Sequence, residues 1–223
     1  MGIVTLEKAS ELYWLGRYSE RVYTTVKQFF ISFDYLIDAE EECYGEICSQ
    51  LNIPDIYTGT EDFIHRYPFD ETVTDSIASN LNRAFDNAIV LRDEIGTQTM
   101  SYIELALSEL KKASMGNAPL VEMQRVMDDI LAFFGCVDDQ MDDEQTRSMI
   151  KAGKRTERLD LYLRFCAAPD KCMRELAKLK RRIAKTGVSY NEQALLAIEK
   201  ELTNSNPDYK ICIEQLENEF IKL

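Results

Sequence analysis

The strongest constraint on the fold is a seam of apolar and small side chains near the N-terminus, with alternating spacings of four and three residues. This spacing places the seam on one face of an α-helix that packs against other helices. We therefore predict a helix over residues 6–37. The seam consists of Leu15, Ser19, Val22, Val26, Phe29, Phe33 and Leu36.

The rest of the chain also has helical periodicity. Nine Gly and five Pro in 223 residues are too few for an all-β protein with many turns. We predict an all-α fold, a helical bundle of seven to nine helices that forms a single domain over residues 1–223. The predicted helices after the first span about 40–51, 74–95, 97–115, 119–134, 143–167, 170–186, 190–203 and 207–222. Thr74 or Asp75 is the predicted N-cap of the helix at 74–95. The predicted irregular segments include 52–71 and 136–143.

An internal repeat relates two of these helices at an offset of 137 residues. The first copy reads LGRYSERVYTTVKQFF and the second reads AGKRTERLDLYLRFCA. Both carry the pattern Gly-basic-x-small-Glu-Arg. This repeat predicts a pseudo-twofold arrangement of the two repeat helices, at about 6–37 and 143–167. Gly16 and Gly153 occupy matching positions. Because Gly costs about 1 kcal/mol relative to Ala inside a helix, we expect another helix or a ligand to approach closely there.

The charged residues around these repeats support two interpretations. In the first, the glutamate of each Glu-Arg pair binds the arginine of the other pair, because charges beside a bundle seam need partners. In the second, the two glutamates and two aspartates form a pocket for a cation, a guanidinium or an amine. The residues concerned are Arg17, Glu20, Arg21, Asp86, Glu157, Arg158 and Asp160.

Composition excludes several classes of chemistry. His65 is the single histidine, which rules out a di-iron site with two Glu-x-x-His units and most His-based catalysis. The sequence has no Walker A motif, no dinucleotide glycine fingerprint and no C-x-x-C pair. We therefore expect no metal and no cofactor. Whether the chain is an enzyme stays open, and the missing nucleophile–base set points away from one.

The expected location is the cytoplasm. The sequence contains no apolar run long enough to span a membrane and no signal-peptide pattern at its start. Its six cysteines fit buried or partly buried thiols in a reducing compartment.

Charge is unevenly distributed along the chain. The formal net charge of −13 argues against nucleic acid or an anionic membrane as a partner. Residues 147–185 nevertheless carry 13 Lys+Arg against four Asp+Glu, so this basic segment has a net charge of +9 and the remainder has −22. The segment is either a surface for a nucleotide phosphate, an acidic peptide or an acidic partner, or simply a solvated face of two helices.

Four segments resemble, in order, the motifs of one known family. ASELYWLGRYSER resembles R-x-Y-W-x-G-R-Y-x-E-R-A-E, and GKRTERLD resembles G-R-x-x-E-R-A-D. Between them, TDSIASNLNRAFDNAIVLRDEI is similar to S-I-x-x-x-L-x-x-A-R-E-N-A-R-x-V-R-D, and FFGCVDDQM resembles the segment that precedes the second repeat. From about residue 8 to at least residue 167, the chain thus resembles the bacterial alpha-E domain family.

The match to this family is divergent. Tyr23 replaces an acidic residue, Phe85 replaces an arginine, Asp86 shortens a glutamate, and Asp139-Gln140 replaces Gly-Thr. The charged and amide residues that match the family's motifs are Glu20, Arg21, Asn87, Arg92, Asp93, Glu157, Arg158 and Asp160.

Members of the family are typically encoded beside, or fused to, circularly permuted ATP-grasp amide ligases and transglutaminase-like proteases. The resemblance therefore implies an accessory or partner-binding helical subunit of an ATP-grasp-type amide-ligase or peptide-modifying system. Its partner would be the ligase or the transglutaminase-like protein, and a peptide is a candidate substrate. The alternatives are an enzyme or ligand-binding protein that uses the Glu/Arg/Asp pocket, and a structural module that forms a homodimer.

Overall fold

A computed structural model of the chain describes residues 5–38, 44–116 and 118–218, apart from the side chains of residues 32–38 and 119. The described residues form eleven α-helices and one 3-10 helix, which confirms the all-α fold. The α-helices are α1 (Leu6–Asp38), α2 (Tyr44–Leu51), α3 (Thr60–Arg66), α4 (Ile77–Val90), α5 (Arg92–Ile95), α6 (Thr97–Ala113), α7 (Pro119–Gln140), α8 (Glu144–Arg164), α9 (Pro169–Ile183), α10 (Glu192–Leu202) and α11 (Tyr209–Leu216). The 3-10 helix covers Tyr67–Phe69.

The predicted count of seven to nine helices is too low, for two local reasons. Helix α3 lies within the segment 52–71 that was predicted to be irregular, because Phe63 and Ile64 are buried and hold one short helix between the flanking prolines. The predicted helix 74–95 is divided at Leu91, whose φ of −90° and ψ of 11° end α4 before α5 begins. Leu91 is fully buried, so the apolar pattern continues across the break and conceals it.

The predicted acidic loop at 136–143 is also wrong in its first half, since α7 continues to Gln140. Ile130, Phe133 and Val137 are fully buried at helical spacing and extend the apolar face past Gly135. Gly135 is exposed, and no atom lies within 4 Å of the position its Cβ would take. The glycine therefore lies on the solvent side of a continuing helix and does not end it.

The predicted helix termini agree less well than the helices themselves. Ser76 is the N-cap of α4, since its hydroxyl accepts a hydrogen bond of 3.0 Å from the Ser79 backbone N–H. The prediction of Thr74 or Asp75 at this position is therefore wrong by one or two residues. The predicted start at residue 40 and end at residue 222 lie outside the described residues.

The chain divides into two compact units. Unit 1 comprises residues 1–17 and 140–223, and unit 2 comprises residues 18–139. In unit 1, α8 packs on α9 and α11, and α10 packs on α9 and α11. In unit 2, α4 packs on α6 and on the 3-10 helix. None of the helices in the described part of the chain is long and apolar enough to cross a membrane.

An aromatic cluster organises one end of unit 2. Phe63 stacks on Phe29 and Tyr67, with ring centroids 5.4 and 5.2 Å apart. Tyr57 meets Phe63 edge to face at 5.0 Å, and the Tyr44 hydroxyl donates a hydrogen bond of 3.1 Å to the Tyr57 carbonyl oxygen. Aromatic pairs of this geometry add stabilisation beyond the area they bury. They explain why a segment rich in turn residues is well packed.

The N-cap of α8 supports a stability prediction. The Asp143 carboxylate accepts hydrogen bonds of 2.7 Å from the backbone N–H and the hydroxyl of Thr146. These bonds, the backbone one first, lower the pKa of Asp143 below its ordinary value. We expect Asp143→Ala to reduce the free energy of unfolding by about 1 kcal/mol at pH 7, whereas Asp142→Ala, which replaces the exposed neighbour, leaves it nearly unchanged.

The pH dependence of this difference has a definite sign. A carboxyl with a lowered folded-state pKa stabilises the protein above its unfolded-state pKa of about 4, and this contribution disappears as the pH falls through the folded-state value. Urea unfolding of both variants between pH 7 and pH 3 measures the effect. A difference between the variants that persists undiminished at acidic pH would contradict the role of the ionised cap.

Candidate functional site

The two repeat glycines form a close backbone contact between helices in the described part of unit 1. A Cβ on Gly16 would overlap the carbonyl oxygen of Ile150, and a Cβ on Gly153 would overlap the carbonyl oxygen of Tyr13. Each glycine thus faces the residue three positions before the other glycine. The close neighbour expected at these glycines is therefore another helix, and the contact between α1 and α8 is locally reciprocal. The pseudo-twofold arrangement of the whole chain stays a prediction.

Beside this contact, the arginine of the first repeat binds the glutamate of the second. Arg17 Nε donates a hydrogen bond to Glu157 Oε2 across 2.7 Å. Glu157 is 2% exposed and Arg17 is 17% exposed. Burial opposes the charge of Arg17, but Glu157, Tyr13 and Asp160 outweigh it, so the pKa of Arg17 lies well above its ordinary value. The Arg17 guanidinium is therefore charged, and its hydrogen bond to Glu157 holds α1 to α8.

An aromatic ring and a second ion pair lie close to the Arg17–Glu157 pair. The Arg17 guanidinium lies 4.8 Å from the Trp14 ring centroid, within cation–π distance. Asp160 is nearly buried and accepts a hydrogen bond of 2.7 Å from Arg164, one turn later on α8. Arg158 lies close enough to Glu175 to help lower its pKa. The charged residues that follow Gly153 thus have partners on α1, α8 and α9.

In unit 2, the first Glu-Arg pair has its own partners. Glu20 is fully buried and accepts a hydrogen bond of 2.8 Å from the Thr24 hydroxyl. Arg21 forms an ion pair of 3.0 Å with Asp75. The predicted pairs of Glu20 with Arg158 and of Glu157 with Arg21 each join residues of different units, and they stay predictions.

The middle motif lies on and just after α4. Asp86 is exposed, and Asn87 is half-buried. Arg92 is exposed at the start of α5 and donates a hydrogen bond of 3.2 Å to the Thr97 hydroxyl. A pocket that would gather Asp86 with Glu20, Glu157 and Asp160 stays a prediction.

Sequence reasoning missed two carboxylates that matter here. Asp75 was predicted, as one of two candidates with Thr74, to cap a helix, and in the structure its carboxylate binds Arg21. Glu175, buried on α9, binds Arg155 at 2.9 Å and Lys178 at 2.6 Å. The only signal for Glu175 was that it is the one carboxylate among the seven Lys and Arg of residues 171–185, since a single carboxylate among many cations tends to become their shared partner.

Three of the described cysteines are buried and are therefore poor nucleophiles. Burial raises the pKa of Cys48, Cys172 and Cys212 to about 11, so their thiolates are scarce at neutral pH. Cys136 is half-buried, Cys166 is exposed, and Cys43 lies outside the described residues. Within the described ranges, no group of three or more His, Cys, Asp or Glu side chains is arranged to hold a metal ion.

Comparison with known protein families gives a match over most of the chain. A family model called Alpha-E, described as a predicted alpha-helical domain with a conserved ER motif, matches residues 7–209. Glu-Arg occurs twice in the chain, at 20–21 and at 157–158. Searches for similar curated proteins and for similar solved structures found no significant match.

Proposed function

The chain belongs to the Alpha-E family, and we propose that it is a partner-binding helical subunit of an ATP-grasp-type amide-ligase or peptide-modifying system. The proposed partner is the ATP-grasp ligase or the transglutaminase-like protein, and the proposed substrate of the assembly is a peptide. In this proposal the helical subunit binds its partner and positions the peptide, and the partner catalyses the reaction. With its free cysteines, it is expected to work in the cytoplasm.

The observation that supports a non-catalytic role is the state of the second Glu-Arg pair. Glu157 is 2% exposed and forms an ion pair with Arg17, beside a backbone contact at two glycines. A carboxylate held in this way stabilises helix packing, whereas a general acid or base must reach the proton it transfers. The motif therefore fits a rigid scaffold better than a reactive site.

The alternative, an enzyme or ligand-binding protein built on the charged residues of the repeats, is less well supported in unit 1. Asp160 and Glu157 both have arginine partners at 2.7 Å. A cationic ligand would have to displace these arginines, each of which forms a charge-assisted hydrogen bond.

Co-expression with an ATP-grasp ligase from the same organism tests the proposal. We expect the two proteins to co-elute in size-exclusion chromatography at low salt, and the ligase to form product faster with the helical subunit present than without it. Elution as two separate proteins at low salt contradicts the proposal. Light scattering on the chain alone then tests the homodimer alternative, which a monomeric mass would exclude.

A further inference from the structure

A cleft of about 420 Å³ on the surface of unit 1 is lined, among the described residues, by basic side chains alone. Four of these residues lie on α9 or just beyond its end, at positions that share one helix face, and the fifth comes from α8. The lining residues are Arg155, Lys178, Arg181, Arg182 and Lys185. The cleft is therefore the place where the basic segment 147–185 concentrates its charge.

Buried and surface carboxylates hold the rim of the cleft in position. Glu175, 7% exposed, binds both Arg155 and Lys178. Glu144 binds Lys185 at 2.8 Å and lies 4.0 Å from Arg182. Four of the five cationic groups are thus oriented before any ligand arrives, which lowers the entropy lost on binding.

The carboxylates do not neutralise the cleft. Five cations and the two carboxylates that bind them leave a net charge of +3. Arg147 lies 3.6 Å from Glu144 and adds a further positive charge near the cleft. Arg181 is exposed and forms no ion pair with any residue in the described ranges. A guanidinium in this state has all of its donors available for an anion.

From this geometry, we propose that the cleft binds a compact oligophosphate, an anion with two or three linked phosphoryl groups. Residues 178 to 183 extend about 8 Å along α9 at 1.5 Å per residue, and Lys185 lies two residues beyond its end, so the row of cations is longer than a single phosphate needs. Arginine and lysine are the residues that recognise phosphate oxygens, the former in a bidentate manner. The volume also falls within the range of small-molecule sites.

The lining indicates what the cleft does not recognise. The described lining residues include no aromatic or aliphatic side chain, and such side chains are what hold a base or a sugar in most nucleotide sites. The ligand is therefore selected by its phosphates, so inorganic tripolyphosphate, ATP and GTP should bind with similar affinities. The inference does not depend on the proposed ligase partner.

Isothermal titration of the full chain with tripolyphosphate tests the proposal, with Arg181→Gln as the variant and Arg174→Gln as its matched control. Both substitutions remove one exposed arginine from α9. Arg174 lies outside the lining and about 10 Å further along the helix, about one Debye length in 0.1 M salt. We expect Arg181→Gln to weaken binding about tenfold, as for the loss of one charge-assisted hydrogen bond, and Arg174→Gln to change it little.

Three outcomes would overturn the inference. The first is the absence of saturable binding at millimolar tripolyphosphate in 0.1 M salt. The second is equal weakening by both variants, which would mean a diffuse surface charge and no site. The third is saturable binding of a poly-glutamate peptide at the cleft without binding of tripolyphosphate, which would make the cleft a docking surface for an acidic partner. None of these results depends on whether the chain co-elutes with a ligase.

Discussion

Replacing Gly153 by alanine is expected to destabilise unit 1 by about 3 kcal/mol or more, because the new methyl group has to displace a backbone carbonyl. The carbonyl belongs to Tyr13 on α1, and the next nearest atoms are also backbone. Backbone in a packed helix cannot move aside as a flexible side chain can. Gly16→Ala is expected to have a similar effect, because it directs its methyl group at the backbone of Ile150.

Gly135→Ala provides the control for this experiment. Gly135 also lies inside a helix, but no atom lies within 4 Å of its Cβ position, so alanine there should stabilise the helix by about 0.5–1 kcal/mol. Urea unfolding followed by circular dichroism measures all three variants. If Gly153→Ala unfolded with the same urea midpoint as the wild-type protein, the close approach of the two backbones would be contradicted.

The second large effect is expected from Glu157→Gln, which removes the charge but keeps the shape of the side chain. Breaking a buried ion pair costs about 3–5 kcal/mol because the remaining charge stays buried without its partner. Arg17 keeps 17% exposure, so we expect about 2–4 kcal/mol here. Arg17→Met combined with Glu157→Leu should recover much of this loss, because neither charge then remains.

Glu199→Gln is the matched control. Glu199 binds Lys180 at the same distance of 2.7 Å, but the two side chains are 41% and 33% exposed. Exposed pairs contribute about 0–1 kcal/mol, so the same substitution should have a much smaller effect. Equal losses of unfolding free energy in the two variants would show that burial does not govern the strength of the Arg17–Glu157 pair.

The helices could be predicted from the sequence where one apolar face runs without interruption. Helix α1 was predicted at 6–37 and observed at Leu6–Asp38, because its seam identifies both its period and its length. The errors arose where a local signal and the burial pattern disagreed. Gly135 suggested that the helix ends there, but the buried residues around it continue the helix. At Leu91 the buried side chain continued the apolar pattern and so concealed a break in the helix backbone.

The candidate site was less predictable, since ion pairs depend on which helix faces meet. The repeat located Gly16 and Gly153 correctly as a close contact, because a glycine at both matching positions needs a shared cause. The partners were harder to identify. Arg17 binds Glu157 at 2.7 Å, a pair that the repeat pattern did not indicate, whereas the predicted pair of Glu157 with Arg21 stays a prediction. Sequence spacing defines a face, but not the register at which two faces meet.

The contact between Gly16 and Gly153 also has a consequence for the time during which the chain is being made. The ribosome synthesises 137 further residues between the two glycines, which takes roughly 7–27 s at about 5–20 residues per second. Leu12 and Leu15, both fully buried in the finished protein, emerge at the start of this interval. During that time α8, the helix that Gly16 contacts in the folded protein, has not yet been synthesised, so the start of α1 lacks its packing partner. Holdase chaperones would therefore meet it before α8 exists.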